Sequence, residues 1–209
     1  MLGYPDGEGI PFDEMAYVVK RIAACTTLPL SVDLEAGYSR DNDQVVRNIQ
    51  ALLALGVVGI NLEDSIVSEN GRTLEDATRF AERLQHIKTR LAENDQDIFI
   101  NARTDVFILA HLDGVAEAKR RAGLYEEAGA DGIFIPYCLN ANDIAAVTAS
   151  TSLPVNVLSN AELPALNTLG KLGVRRVSLG NYPFSQMCST YATGIARINN
   201  EQSLTSLFA

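Results

Sequence analysis

The stretch LSVDLE, residues 30–35, decides between two α/β architectures. Its apolar residues alternate with serine and acidic residues, so a strand here has one apolar face and one polar face. The same alternation recurs in VGINLE (58–63) and IFINAR (98–103). A doubly wound open sheet is covered by helices on both faces and would need both faces apolar. A barrel has one helix-covered face and one interior face that opens into a site, so the pattern favours a TIM-type β/α barrel.

Short β-rich segments alternate with amphipathic helices along the chain. Six segments are predicted strands: 28–36, 57–64, 97–105, 131–136, 153–158 and 175–181. Seven segments have helical periodicity or fit helices: 13–25, 43–55, 74–92, 114–128, 141–149, 161–171 and 184–199. Repeated β/α units predict parallel strands with right-handed crossovers. Because a TIM barrel has about eight units, we expect a single β/α-barrel domain over residues 1–209 that lacks the first two strands.

Composition excludes several classes of partner. The chain has 209 residues, 47% of them hydrophobic, and a formal net charge of −9. This acidic balance argues against binding to nucleic acid or to an anionic membrane, and no apolar run approaches the roughly 18 residues of a membrane span. The three cysteines lack metal-ligand spacing, so we expect reduced thiols in a cytoplasmic protein. The charged run AKRRAGLYEEAG (118–129) is predicted to be a solvated helix face.

Charged residues gather at the ends of three predicted strands. Asp33 and Glu35 end the first strand, Glu63 ends the second and Arg103 ends the third, with Asp6 in the N-terminal loop as a further candidate. Such residues meet at one mouth of a barrel, and clustered carboxylates raise each other's pKa unless a cation lies among them. Carboxylates suit Mg²⁺, and an arginine beside the metal can hold a substrate anion. The structural alternative is that these residues only form strand-end caps or salt bridges.

Six motifs resemble, in their order and spacing, the isocitrate lyase/phosphoenolpyruvate mutase superfamily. They are LGYPDGE (2–8), VDLEAGY (32–38), GINLEDS (59–65), INARTD (100–105), AGADGIFIP (128–136) and VSLGNYPF (177–184). The resemblance implies a TIM-like barrel with a swapped terminal helix and a homo-oligomer, either dimer or tetramer. It also implies a Mg²⁺-dependent reaction on a small α-oxo or phosphonate carboxylic acid. In that reaction a C–C or P–C bond is cleaved or formed through an enolpyruvate-like species.

The resemblance assigns metal-binding roles to four acidic residues. Asp33 matches the direct Mg²⁺ ligand of the family. Glu35 stands where many members have an aspartate, and Glu63 matches an acid that binds the metal through water. Asp6 matches an acid close to both metal and substrate.

Three further residues are expected to meet the substrate. Arg103 matches the arginine that holds the substrate anion, and Asn156 matches a substrate-contacting asparagine. Tyr137 stands where lyases tend to have glutamate and phosphonate mutases have histidine. The general base stays open among Asp6, Glu63 and Tyr137.

The loop IVSENGRT (66–73) departs from the family pattern. It has neither the cysteine nor the histidine of isocitrate and methylisocitrate lyases, which argues against those two activities. It also lacks the lid signature of the mutases, and Asn70 and Arg72 are its polar candidates. The family strands before GYPDG, with the loop that holds the substrate carboxylate, are expected to be missing. Two hypotheses therefore stand: a Mg²⁺-dependent lyase or mutase, and a non-catalytic remnant or metal- and anion-binding α/β module.

Overall fold

The computed structural model describes residues 2–5, 7–205 and 208, which form seven helices and eight strands. The helices are α1 (Phe12–Ala23), α2 (Asn42–Leu53), α3 (Ala77–Ala92), α4 (Gly114–Glu127), α5 (Ala141–Thr148), α6 (Leu166–Lys171) and α7 (Tyr182–Glu201). The strands are β1 (Leu30–Asp33), β2 (Val57–Glu63), β3 (Ser65–Ser68), β4 (Gly71–Leu74), β5 (Phe99–Arg103), β6 (Gly132–Phe134), β7 (Val155–Leu158) and β8 (Val174–Ser178). Within this part of the chain, no helix combines the length and apolar character needed to cross a bilayer.

Six of the strands form one parallel sheet in the order β1-β2-β5-β6-β7-β8. This order follows the chain, because β3 and β4 form a separate antiparallel hairpin inserted between β2 and β5. Helices connect each pair of neighbouring parallel strands, as right-handed β/α crossovers require. The prediction of a TIM-type β/α architecture with six visible strands is confirmed. Within the described residues the sheet curls as half a barrel, with β1 and β8 at its edges.

The hydrophobic core lies between the sheet and the helices. Most apolar strand positions that the alternation assigned to the outer face are buried there: Val32, Leu34, Ile60, Leu62, Ile100, Ala102, Val155 and Val157. Val58 and Leu179, assigned to the same face, are exposed. Helix stripes at i, i+3 and i+4 pack on the buried positions, and Phe80 of α3 contacts Tyr125 of α4 edge-on, with ring centres 4.9 Å apart. Burying each such large apolar side chain stabilises the fold by about 1.5–3 kcal/mol.

The interior face of the sheet carries polar side chains beside Phe99 and Phe134. The Nδ2 of Asn101 donates to the Oδ1 of Asn61 at 2.8 Å across β5 and β2. Gly132 on β6 leaves room for this amide pair, because a Cβ at that position would lie 3.0 Å from the Oδ1 of Asn101. The polar interior that distinguished a barrel from an open doubly wound sheet is therefore present.

Two helices begin later than the sequence predicted. Residues 66–74, expected as a loop and the start of a helix, form the β3–β4 hairpin, and Gly71, the first residue of β4, has a φ of +102°. Helix α3 begins only after Asp76, whose side chain accepts the Arg79 N–H at 3.0 Å as an N-cap. Helix α6 begins after residue 165 rather than at 161, because Pro164 disfavours helical geometry at the residue before it.

Candidate active site

A cavity of about 730 Å³ opens at the carboxyl ends of the parallel strands. Its walls are formed by Asp33, Asn61, Arg72, Arg103, Phe107, Ile108, Phe134, Pro136, Tyr137, Leu158, Ser178, Gly180 and Asn181. Three residues predicted for the site, Asp33, Arg103 and Tyr137, are among them. The strand ends therefore bring an acid, a guanidinium and a phenol to one space large enough for a small ligand.

Two arginines and two carboxylates form a closed ring beside this cavity. Glu63 and Arg103 are opposite each other in the β2–β5 register, and Glu63 Oε2 lies 3.0 Å from Arg103 Nη1. Arg103 also donates to Asp105, from Nε at 2.7 Å and from Nη2 at 3.1 Å. From the hairpin, Arg72 Nη1 donates to Glu63 Oε1 at 2.6 Å and to Asp105 Oδ2 at 2.7 Å. We call Glu63, Arg103, Asp105 and Arg72 the charge ring.

The charge ring is largely withdrawn from water. The side chains of Glu63 and Asp105 are 2% and 0% exposed, whereas Arg72 and Arg103 keep 18% and 15%. Burial raises the pKa of Glu63 to about 7, and the Asp105 and Asp33 carboxylates act in the same direction against the two guanidinium groups. Burial opposes the charge of Arg103 too, but Glu63 and Asp105 raise the pKa of its guanidinium above the usual range. Arg103 is therefore a permanent cation on the cavity wall.

Asp33 and Glu35 do not share a strand face, so that part of the prediction is wrong. Strand β1 ends at Asp33, and Glu35 lies in the following turn with a φ of +49°, which breaks the alternation. Asp33 lines the cavity, and its Oδ1 accepts the Glu35 N–H at 3.3 Å. Glu35 Oε2 instead accepts the Glu8 N–H at 2.8 Å, so its carboxylate joins the turn to the N-terminal loop.

The remaining predicted residues differ in their placement. Tyr137 follows β6 with a φ of +61°, lines the cavity and is 46% exposed. Asn156 on β7 is buried on the interior face, and neither atom of its amide has a hydrogen-bond partner among the described residues. Its donor and acceptor capacity therefore suits a bound polar group. Asp6 lies outside the described residues.

A second polar cluster lies on the helix-covered side of the sheet, next to the charge ring. Asp64 is fully buried, and its Oδ2 accepts from Tyr125 Oη at 2.6 Å and from Arg121 Nη1 at 2.8 Å. Its Oδ1 accepts the Asp105 N–H at 3.1 Å, which fixes the backbone of the charge ring. Arg121 is only 4% exposed, so the run 118–129 is not wholly a solvated face. Its burial follows from its spacing with Ala118 and Tyr125, a helical stripe that the charges had obscured.

The donor set at the mouth suits Mg²⁺. Among the described residues, no three His, Cys, Asp or Glu side chains converge as a ready-made ligand group. Mg²⁺ does not need one, because it usually takes one or two carboxylates and keeps several waters. The charge of Asp33 already contributes to the raised pKa of Glu63, and a cation beside Asp33 would relieve this repulsion. Asp33, which lines the cavity, would thus be the direct ligand, whereas the carboxylates of Glu35 and Glu63 are held by the Glu8 N–H and by the two arginines of the charge ring.

The sequence matches the family described as Phosphoenolpyruvate phosphomutase over residues 1–199. The chain belongs to the phosphoenolpyruvate phosphomutase family. The resemblance predicted from the six motifs is thereby confirmed.

Relatives of this phosphoenolpyruvate phosphomutase family member include named enzymes. An oxaloacetate decarboxylase of Bradyrhizobium sp. (strain BTAi1) is 32% identical over 179 residues, which cover 85% of this chain and 60% of the relative. An uncharacterized protein of Mycobacterium tuberculosis (strain H37Rv) is 33% identical over 183 residues, covering 88% and 66%. A crystal structure of a candidate phosphonomutase from Burkholderia cenocepacia J2315 superposes with a TM-score of 0.84 at 38% identity, covering 91% of this chain and 77% of that chain. The chain thus spans less than two thirds of these curated relatives.

Proposed function

We propose that this chain is a Mg²⁺-dependent lyase or mutase that cleaves or forms a C–C or P–C bond in a small α-oxo or phosphonate carboxylic acid. The observation that carries the proposal is the permanent cation Arg103 on the wall of a cavity that Asp33 also lines. The oxaloacetate decarboxylase relative supports oxaloacetate as the first substrate to test. The family resemblance supports phosphonopyruvate as the second.

The residues of the chain divide the chemical tasks. Bound Mg²⁺ would supply charge stabilisation for an enolate-like species. Arg103 would hold the anionic group of the substrate through its planar fork, because Glu63 and Asp105 fix its orientation. Asn156 would offer its unpartnered amide to a polar group of the ligand. These contacts orient the substrate, and orientation alone supplies a large part of the rate enhancement in such reactions.

The proton carrier has three candidates. The pKa of Glu63, near 7, suits proton transfer at neutral pH. Tyr137 has the more direct access, because its side chain lines the cavity. Asp6 lies outside the described residues, so its family role stays a prediction.

The experiment measures loss of oxaloacetate and of phosphonopyruvate by the purified chain with Mg²⁺ or with a chelator. We expect Mg²⁺-dependent turnover, and Arg103→Lys should lower kcat/KM by roughly tenfold or more because a point charge cannot replace a bidentate fork. Arg90→Lys, on the exposed side of α3, is the matched control. If the chain bound oxalate with Mg²⁺ but turned over neither substrate, the hypothesis of a metal- and anion-binding module would replace that of an enzyme. If the chain neither bound oxalate nor turned over a substrate, both functions would be contradicted. The cytoplasmic location and the homo-oligomer stay predictions.

A further inference from the structure

Arg72 is the residue through which the β3–β4 hairpin meets the charge ring. Its Nη1 lies 2.6 Å from Glu63 Oε1, 2.7 Å from Asp105 Oδ2 and 2.7 Å from the Oγ of Ser65 at the root of the hairpin. The Ser65 hydroxyl in turn lies 2.6 Å from Asp105 Oδ2. The hairpin thus contributes a partly buried charge to a site that is otherwise built on the parallel sheet.

The hairpin is fixed at both ends and packed in the middle. After β4, the Glu75 N–H donates to the Asp64 carbonyl at 2.8 Å, and Arg121 Nη2 donates to the Glu75 carbonyl at 3.0 Å. On β3, Val67 touches the N-terminal loop so closely that a Cβ at Gly7 would lie 2.7 Å from the Cβ of Val67. Arg72 therefore provides the ionic contact between the hairpin, which borders the mouth, and the charge ring.

Charge balance explains why a second guanidinium is needed there. Glu63 and Asp105 are both buried, and an unpaired buried carboxylate is costly. With Arg72 present, two guanidinium groups face the two carboxyl groups of the charge ring. Without it, both carboxylates would depend on Arg103 alone and would hold that guanidinium more strongly than a substrate anion could compete for it.

We propose that Arg72 is a positioning residue. It neutralises part of the charge of Glu63 and Asp105 and holds the β3–β4 hairpin at the mouth. The Arg103 guanidinium therefore stays available to the anionic group of the substrate. The part that concerns the substrate rests on the function proposed above. The part that concerns the hairpin does not.

The first test separates substrate binding from chemistry. Arg72→Met should raise KM by roughly tenfold while kcat changes by less than about threefold, because a charge-assisted contact is lost but the reacting groups stay. Arg72→Lys should recover part of the loss, because it restores the charge without the fork. Arg90→Met is the control that removes an exposed arginine. An unchanged KM in folded Arg72→Met would overturn the proposal.

The second test uses compensation. Asp105→Asn added to Arg72→Met removes the surplus negative charge, so the double variant should have a lower KM than Arg72→Met alone. A direct substrate contact by Arg72, or a purely structural role, predicts additive or greater loss in the double-mutant cycle. Such additivity would overturn the charge-sharing argument.

The third test needs no activity. Backbone amides of the hairpin should exchange with deuterium faster in Arg72→Met than in the parent, by roughly tenfold, while amides of α5 should not change. Equal exchange in both proteins would overturn the fastening role. If the parent chain turned over neither substrate, the proposed function would fail, and hairpin exchange would still decide this inference.

Discussion

Three consecutive residues, where β2 ends and β3 begins, serve two different environments. Glu63 points inward to the charge ring, Asp64 points outward to Arg121 and Tyr125, and the Ser65 hydroxyl contacts the Asp105 carboxylate. The alternation of a strand predicts the inward glutamate, and the register predicts its pairing with an arginine on the next strand. The outward aspartate was not predicted, because no local pattern shows which charge of a helix turns toward the sheet.

Asp33 is expected to dominate metal binding. It lines the cavity at the end of β1, and a carboxylate that contacts Mg²⁺ directly contributes more than one that acts through water. Asp33→Asn should weaken Mg²⁺ binding by at least about tenfold in isothermal titration calorimetry, with the fold retained. Asp95→Asn, in an exposed turn, is the control. Equal affinity of Asp33→Asn and the parent would show that the metal assignment is wrong.

At the scale of elements, the β3–β4 hairpin carries its own sequence signal. Asn-Gly at residues 70–71 is a strong short-range hairpin pattern, but the β runs on either side are only four residues each. The helical periodicity that begins at Leu74 concealed the second strand. Strands β1, β6 and β7 are no longer than these, but they were predicted because each lies between two helical segments in a repeated β/α pattern.

Helix α4 joins the site to the surface through Glu117. Hydrogen bonds from Arg120 and then Arg121 lower the pKa of Glu117 to about 2 against the opposing effect of burial. A depressed acid pKa stabilises the fold fully above the ordinary value of 4.5, and the contribution is lost as the pH falls through about 2. Glu117→Gln should therefore lower the free energy of unfolding by roughly 1 kcal/mol at pH 7.

The same difference should shrink progressively below pH 4.5, in urea denaturation of the parent and the variant. Glu82→Gln, exposed on α3, is the control. A difference between parent and Glu117→Gln that stays constant from pH 7 to pH 3 would contradict the linkage.

At the scale of the whole molecule, α7 stands apart from the core. None of its 20 residues is buried, although it carries a run of large apolar side chains: Tyr182, Phe184, Met187, Tyr191 and Ile195. An exposed apolar patch of this kind is typical of an interaction surface. The homo-oligomer implied by the family resemblance would cover it.

We therefore expect the chain to self-associate through α7 with a second copy. Sedimentation velocity should show a concentration-dependent increase in mass, and Tyr191→Lys should suppress it because a charge in an apolar contact is costly. Leu112→Lys, on a fully exposed loop residue, should have no effect. A parent chain that stays monomeric over the whole concentration range would rule the contact out.

The six strands of the main sheet and their parallel order could be predicted from sequence, since each rests on a local period and on the handedness of β/α units. Only the location of the cavity, at the carboxyl ends of the strands, could be predicted. The closed charge ring could not, because Arg72 and Asp105 reach it from a hairpin and from the segment after β5. Long-range side-chain pairing of this kind leaves no periodic trace in the chain.

The sequential strand order also bears on how the chain folds during synthesis. Every strand of the parallel sheet pairs with the one that leaves the ribosome just before it, apart from the short hairpin insertion. No strand in the described sheet waits for a distant segment, so the loop-closure entropy of each pairing step stays small. The growing sheet can add one β/α unit at a time behind the ribosome, and the edge that receives the next unit is always that of the strand made last.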